Sequence, residues 1–237
     1  MYLTSFRFNT ARTGARRLLA SPQALHAAVM SSYPDILPGD DGPRVLWRVD
    51  RNARAEVLLY VVGPDEPDLT HLVEQAGWPA KEGGWRTHDY APFLSRLAKG
   101  DVWAFRLTAN PVHSIRRRDG EPTKLTPHIT PRHQARWLLQ RQEAAGFRVL
   151  ERPGEDDHAP EEDGHDLLVH GRRDLRFGKG GAGRAAGAKP VSLVTVTYDG
   201  HLEVTDPDAL RRTLTMGLGR ARAYGCGLMT LAPAGKR

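Results

Sequence analysis

The chain has 237 residues, 40% hydrophobic and 26% charged, with 5 Trp, 6 Tyr and 6 Phe. At roughly 100–150 residues per domain this length suits two compact units, and the composition supplies packed cores, which excludes wholesale disorder. No apolar run approaches the ~20 residues of a membrane span, so no membrane partner is expected. The N-terminus alternates like a strand and lacks a signal-peptide apolar stretch, so a cytoplasmic protein is expected. A single cysteine, Cys226, excludes an internal disulfide and a cysteine-built zinc site.

Charge is distributed unevenly. Residues 151–166 carry eight acids and one arginine, a local balance of −7, so the rest of the chain carries +13 against the overall +6. So basic a remainder points to a polyanionic partner.

Taken in chain order, residues 2–8 alternate as a strand. Ser21-Pro22 supplies an N-cap and a proline at the first helical position, predicting a helix to about Tyr33. Residues 44–50 and 55–62 read as strands joined by a hairpin at Arg51-Asn52-Ala53-Arg54. Helices are predicted over 69–76 and 90–98, with Gly100 as a stop, and a strand over 102–108 ends at Asn110-Pro111. Thr130-Pro131 caps a helix over 132–145 that Gly146 terminates. Strands are predicted over 147–150, 166–170, 175–177 and 191–198. Asp199-Gly200 is a turn dipeptide that predicts a hairpin into 201–205. Asp206-Pro207 opens a last helix ending at Gly217, and 228–231 is a closing strand. Residues 178–190, with five glycines, two lysines and one arginine, read as a hairpin tip.

This order fits an α+β architecture of two tandem ferredoxin-like βαββαβ units, a class whose sheets often bind RNA. The expected division is an N-terminal domain over 1–112, a basic interdomain segment over 113–131, and a C-terminal domain over 132–237.

The most specific motif is Gly217-Leu-Gly219-Arg220-Ala-Arg222-Ala-Tyr224-Gly225-Cys226-Gly227. Its glycines Gly217, Gly219, Gly225 and Gly227 allow positive φ and close backbone approach, and amides and arginines between them can surround a phosphate. No Gly-Lys-Ser/Thr follows, so it is not a P-loop, and a helix precedes it, so it is not a dinucleotide fingerprint. The histidines of the acidic segment, His158 and His165, lack further spaced ligands, and neither a metal nor a cofactor is expected.

That glycine signature, followed by Leu228-Met-Thr-Leu-Ala-Pro233, resembles the C-terminus of the RAMP superfamily of CRISPR proteins, and within it the CasE family of type I-E repeat-processing endoribonucleases. The resemblance extends to Met1-Tyr-Leu-Thr4, Leu25-His26, Phe105-Arg-Leu-Thr-Ala-Asn-Pro111 and Lys124-Leu-Thr-Pro127. It continues through Ala135-Arg-Trp-Leu138 and Gly200-His-Leu-Glu-Val-Thr-Asp-Pro207. It implies two ferredoxin-like domains and metal-independent cleavage of precursor CRISPR RNA beside the repeat stem-loop, with a 2′,3′-cyclic phosphate product. It also implies that the protein keeps the mature crRNA within Cascade, beside the other Cascade subunits.

Read by itself, His26 is a lone histidine one turn into a helix, compatible with packing or with chemistry. The resemblance makes it the catalytic residue, because cleavage without metal needs a 2′-OH deprotonated and a 5′-oxygen protonated, and imidazole does either near neutral pH. The family often carries a tyrosine three residues earlier and, in some members, a lysine five residues later, where this chain has Gln23 and Ser31. In the glycine loop Arg222 is the charge donor. The resemblance places two further basic regions against the repeat hairpin: Arg116, Arg117, Arg118 and Lys124 in one, and Arg172, Arg173, Arg176 and Lys179 in the other, with Arg220 and Arg222 completing the RNA contacts. A non-catalytic RNA stem-loop-binding subunit, in which His26 only packs, is the alternative.

Overall fold

The computed structural model describes residues 1–34, 44–52, 54–79, 84–115, 123–152, 164–178 and 191–235. In the first unit β1 (Tyr2–Phe8) leads into α1 (Thr13–Ala20) and α2 (Pro22–Met30), then β2 (Leu46–Arg51), β3 (Val57–Gly63), α3 (Thr70–Ala76), β4 (Trp85–Asp89) and α4 (Ala91–Arg96). The four strands form an antiparallel sheet in the order β2-β3-β1-β4. With α1 and α2 counted as one crossover, this is the βαββαβ arrangement with the last strand beside the first. Alternation decides which face is covered: Phe6 and Phe8 of β1 turn inward and Arg7 outward, and α1–α3 bury Leu18, Leu25 and Leu72 against them.

The second unit comprises β5 (Val102–Ala109), β6 (Val112–Ile115), β7 (Lys124–Pro127), α5 (Pro131–Leu139), β8 (Phe147–Val149), β9 (Leu167–Phe177), β10 (Val191–Val204), α6 (Pro207–Met216) and β11 (Met229–Pro233). Its sheet runs β11-β5-β10-β8, with β9 also paired to β10. The same strand permutation recurs, so the chain folds as two ferredoxin-like domains. The separate β6–β7 hairpin leaves the second domain between its first strand and its first helix.

Three expectations are corrected. A division at residue 112 puts β5 in the wrong domain: β5 pairs with β10 and β11, so the sheets part between Asp89 and Val102. Asp199-Gly200 is not a turn but the middle of the 14-residue β10. Arg106, directly opposite, holds the Asp199 carboxylate through two bonds of 2.6 Å, and a Cβ on Gly200 would lie 2.3 Å from the Asp166 carbonyl oxygen. Pairing across the sheet therefore outweighs the local turn preference. Residues 166–170 and 175–177 belong to one strand, β9, bent by a bulge where its register on β10 shifts between Thr195 and Thr197. Helix α1, strand β4 and the β6–β7 hairpin were not expected.

The domains are tied by one buried cation. Arg48 of β2, 2% exposed, forms two bonds with Asp50 at 2.7 and 2.9 Å. It also donates to the carbonyls of Arg106 and Leu228 and to Thr230 Oγ1, all in the second domain. Beside it the apolar core of the second domain continues into Leu46 and Val62 of the first sheet. Among the described residues no helix is long and apolar enough to cross a membrane.

Candidate functional site

Helix α2 begins as its sequence requires: Ser21 Oγ accepts from the Ala24 amide at 3.2 Å, with Pro22 in the first turn. Leu25 and Val29, one turn apart, point into the core, which sets His26 on the flank of the helix, half-buried. His26 Nδ1 is buried with no hydrogen-bond partner. Burial holds the imidazole below its ordinary value of 6.5, so the neutral ring dominates near pH 7. Ser31 Oγ donates to the Ala27 carbonyl at 2.8 Å and is tied back to its own helix.

Against α2 packs the 3-10 turn Arg222–Tyr224 of the glycine loop. All four glycines of the motif have positive φ, between 78° and 90°. The constraint is strictest at Gly225, where a Cβ would lie 2.6 Å from the Trp47 ring. Leu218 N donates to the Gly227 carbonyl and Gly227 N to the Thr108 carbonyl, closing the loop and pinning it to β5. Those amides, with Tyr224 N and Gly225 N, are spent on the loop's own shape, which leaves the stretch from Gly219 to Arg222 to meet an anion. Arg220 is exposed. Arg222 is half-buried with Nε unpartnered, and burial and the nearby Arg44 depress its guanidinium from its ordinary value. The helix that carries a neutral imidazole in one domain thus packs on the arginine-bearing turn of the other.

The basic residues of β9 separate. The bulge lets both His170 and Arg173 face the cleft between the two sheets, which strict alternation would forbid. Arg51 at the end of β2 lines the same cleft, of about 240 Å³, and its guanidinium is depressed by burial and by Arg173. Arg172 is exposed and paired with Asp174 at 2.9 Å, Arg176 is exposed on the same strand, and Lys124 is exposed on β7. Arg116, Arg117, Arg118, Lys179 and His158 lie outside the described residues, as does most of the acidic segment and of the 178–190 tip. His165 forms an isolated β-bridge with Glu151. Among the described residues no group of three or more His, Cys, Asp or Glu is placed to hold a metal ion.

Sequence reasoning missed Arg51, which a hairpin-end position did not distinguish, and the row His113, His128 and His133. That row forms only when the β6–β7 hairpin folds back on α5.

Residues 1–233 match the family model described as "CRISPR associated protein". The chain is 32% identical to the CRISPR-associated endoribonuclease Cse3 of Thermus thermophilus, over 98% of this chain and 100% of that protein. It is 28% identical to the CRISPR system Cascade subunit CasE of Escherichia coli K12, over 79% of this chain and 88% of that protein. Among solved structures, Cse3 bound to a 19-nucleotide RNA superposes with a TM-score of 0.73 at 28% identity, covering 98% of this chain and 100% of that one.

Proposed function

The chain belongs to the CRISPR-associated protein family, in its Cse3/CasE branch, and from that premise we propose that it cleaves precursor CRISPR RNA beside the repeat stem-loop and keeps the product as a Cascade subunit. One relative is an endoribonuclease, another is a Cascade subunit, and the superposed structure holds RNA. The observation that carries the reading is the packing of α2, with its neutral His26, on the arginine-bearing turn of the glycine loop.

Neutral imidazole accepts a proton, so His26 acts as base. It takes the proton of the ribose 2′-OH, the 2′-oxygen forms a bond to the adjacent phosphorus, and the bond from phosphorus to the 5′-oxygen breaks. The 5′-oxygen takes a proton from solvent, leaving a 2′,3′-cyclic phosphate and a 5′-OH. Arg222, and Arg220 beside it, offset the negative charge that builds on the phosphoryl oxygens. No step calls for a metal ion. Affinity comes from arginine–phosphate contacts spread over β9, the cleft and the glycine loop.

The test is cleavage of one repeat RNA in excess EDTA by the wild type and by His26→Ala. The expected result is a single cut by the wild type, with a cyclic phosphate end, and a shifted but uncut RNA for the variant. Cleavage at wild-type rate by His26→Ala, or loss of wild-type activity in chelator that a divalent ion restores, overturns the mechanism. Binding without any cleavage by the wild type identifies a structural subunit instead.

A further inference from the structure

A cavity of about 500 Å³ opens in the second domain where the end of β5, the β6–β7 hairpin, α5 and the glycine loop meet. Asn110, His113, His128, Arg141, Arg220 and Arg222 line it. Three of these residues carry a buried polar atom without a partner: Asn110 Oδ1, His113 Nδ1 and Arg222 Nε. Buried polar atoms are rarely left without a partner, and the three residues that carry these all line this one cavity, which singles it out as a place for a ligand.

The walls are built rather than incidental. Gln134, 2% exposed, donates Nε2 to the carbonyls of His128 at 2.9 Å and Ile129 at 3.3 Å, and His128 N donates to the Pro111 carbonyl at 2.9 Å. The His128 ring is thereby set against His113, with centroids 4.4 Å apart and planes 30° apart. His133 extends the row at 6.0 Å and is itself held by Thr130 Oγ1 at 2.7 Å from Nδ1. Arg141 lies over the Trp137 ring at 4.4 Å and donates Nη1 to the Trp137 carbonyl. Among the described residues no carboxylate lines the cavity. Cations, imidazoles and one buried amide oxygen make a wall suited to an anion that also carries a hydrogen-bond donor.

We propose that this cavity is a nucleotide subsite, which takes one unpaired RNA nucleotide with its phosphate on Arg222 and Arg220 and its ribose hydroxyl or base N–H on Asn110 Oδ1. The volume accommodates a nucleotide, and His113 supplies a further hydrogen-bonding atom beside Asn110. Because Arg222 belongs both to this wall and to the turn packed on α2, the bound nucleotide neighbours the one that is cut. The subsite rests on the reading of the chain as an RNA endonuclease.

The experiment measures fluorescence anisotropy in a His26→Ala background, which keeps the RNA uncut. Two probes are used: a repeat hairpin with its unpaired flanks and the same stem-loop without them. His113→Ala and Asn110→Ala are each expected to weaken the flanked RNA about tenfold and to leave the bare stem-loop unchanged, while His113→Asn, which restores a hydrogen-bonding atom, recovers most of the loss. Thermal melts confirm that the variants fold, and if Asn110→Ala does not, the two His113 variants decide. Equal losses on both RNAs, or no loss on either, overturn the subsite while stem binding and His26-dependent cleavage leave the endonuclease reading standing. A parent protein that binds neither RNA overturns both.

Discussion

Replacing Arg48 with methionine tests whether the buried cation holds the two domains in register. The thioether fills most of the volume, so the loss is chiefly electrostatic. Arg48 contributes five hydrogen bonds, three of them to the second domain. Its removal strands the Asp50 carboxylate, 10% exposed, with Arg106 Nη1 at 3.7 Å as its remaining salt-bridge partner among the described residues. Breaking a buried pair by deleting one partner costs about 3–5 kcal/mol. For a chain of this length each kcal/mol shifts the midpoint by roughly 2–4 °C, so scanning calorimetry should show a fall of about 6–20 °C. Arg48→Met/Asp50→Leu should be more stable than the single variant, because it removes the stranded charge. Cleavage should slow in the single variant as well, since His26 and Arg222 lie on opposite sides of the joint. A loss under about 1 kcal/mol, or a double variant less stable than the single, would refute the reasoning.

The single-turnover rate should rise with pH to a plateau as His26 loses its proton, and a falling profile would assign it as acid instead. Folding responds to the same ring. The unfolded chain takes the proton near 6.5 while the folded ring resists it, so stability is full above that pH and declines as pH drops through the lowered folded value. His26→Asn should flatten that decline in pH-dependent urea melts. Reversing charge at Arg172 and Arg173 should weaken hairpin binding and reduce the log–log salt slope by roughly one unit per lost phosphate contact, with an unchanged slope showing that β9 faces away from RNA. Gly225→Ala combines positive φ with a Cβ 2.6 Å from Trp47 and should cost about 2–4 kcal/mol in chemical denaturation. A neutral Gly225→Ala would show that the loop relaxes freely.

Local chemistry was legible in the sequence. The caps at Ser21, Thr130 and Asp206 all accept amide bonds in the structure, each followed by the proline that starts its helix. The alternation of β1 and β5 matches their buried faces, and the glycine motif reported four positive-φ positions. These signals are readable because steric and hydrogen-bonding preferences act within a few residues. Partner choice is not local. Nothing near Val102–Ala109 says that it pairs with β10 and β11, and nothing near Asp199-Gly200 says that Arg106, 93 residues earlier, will hold a turn dipeptide straight within a strand. The same limit governed the site. His26 and the glycine loop were visible as residues, but the packing of α2 on the Arg222–Tyr224 turn, the cleft shared by Arg51 and Arg173, and the histidine row above α5 arise only when distant strands come into register. Burial then lowers the proton affinity of His26, because desolvation acts on a side chain only after the rest of the chain has closed around it.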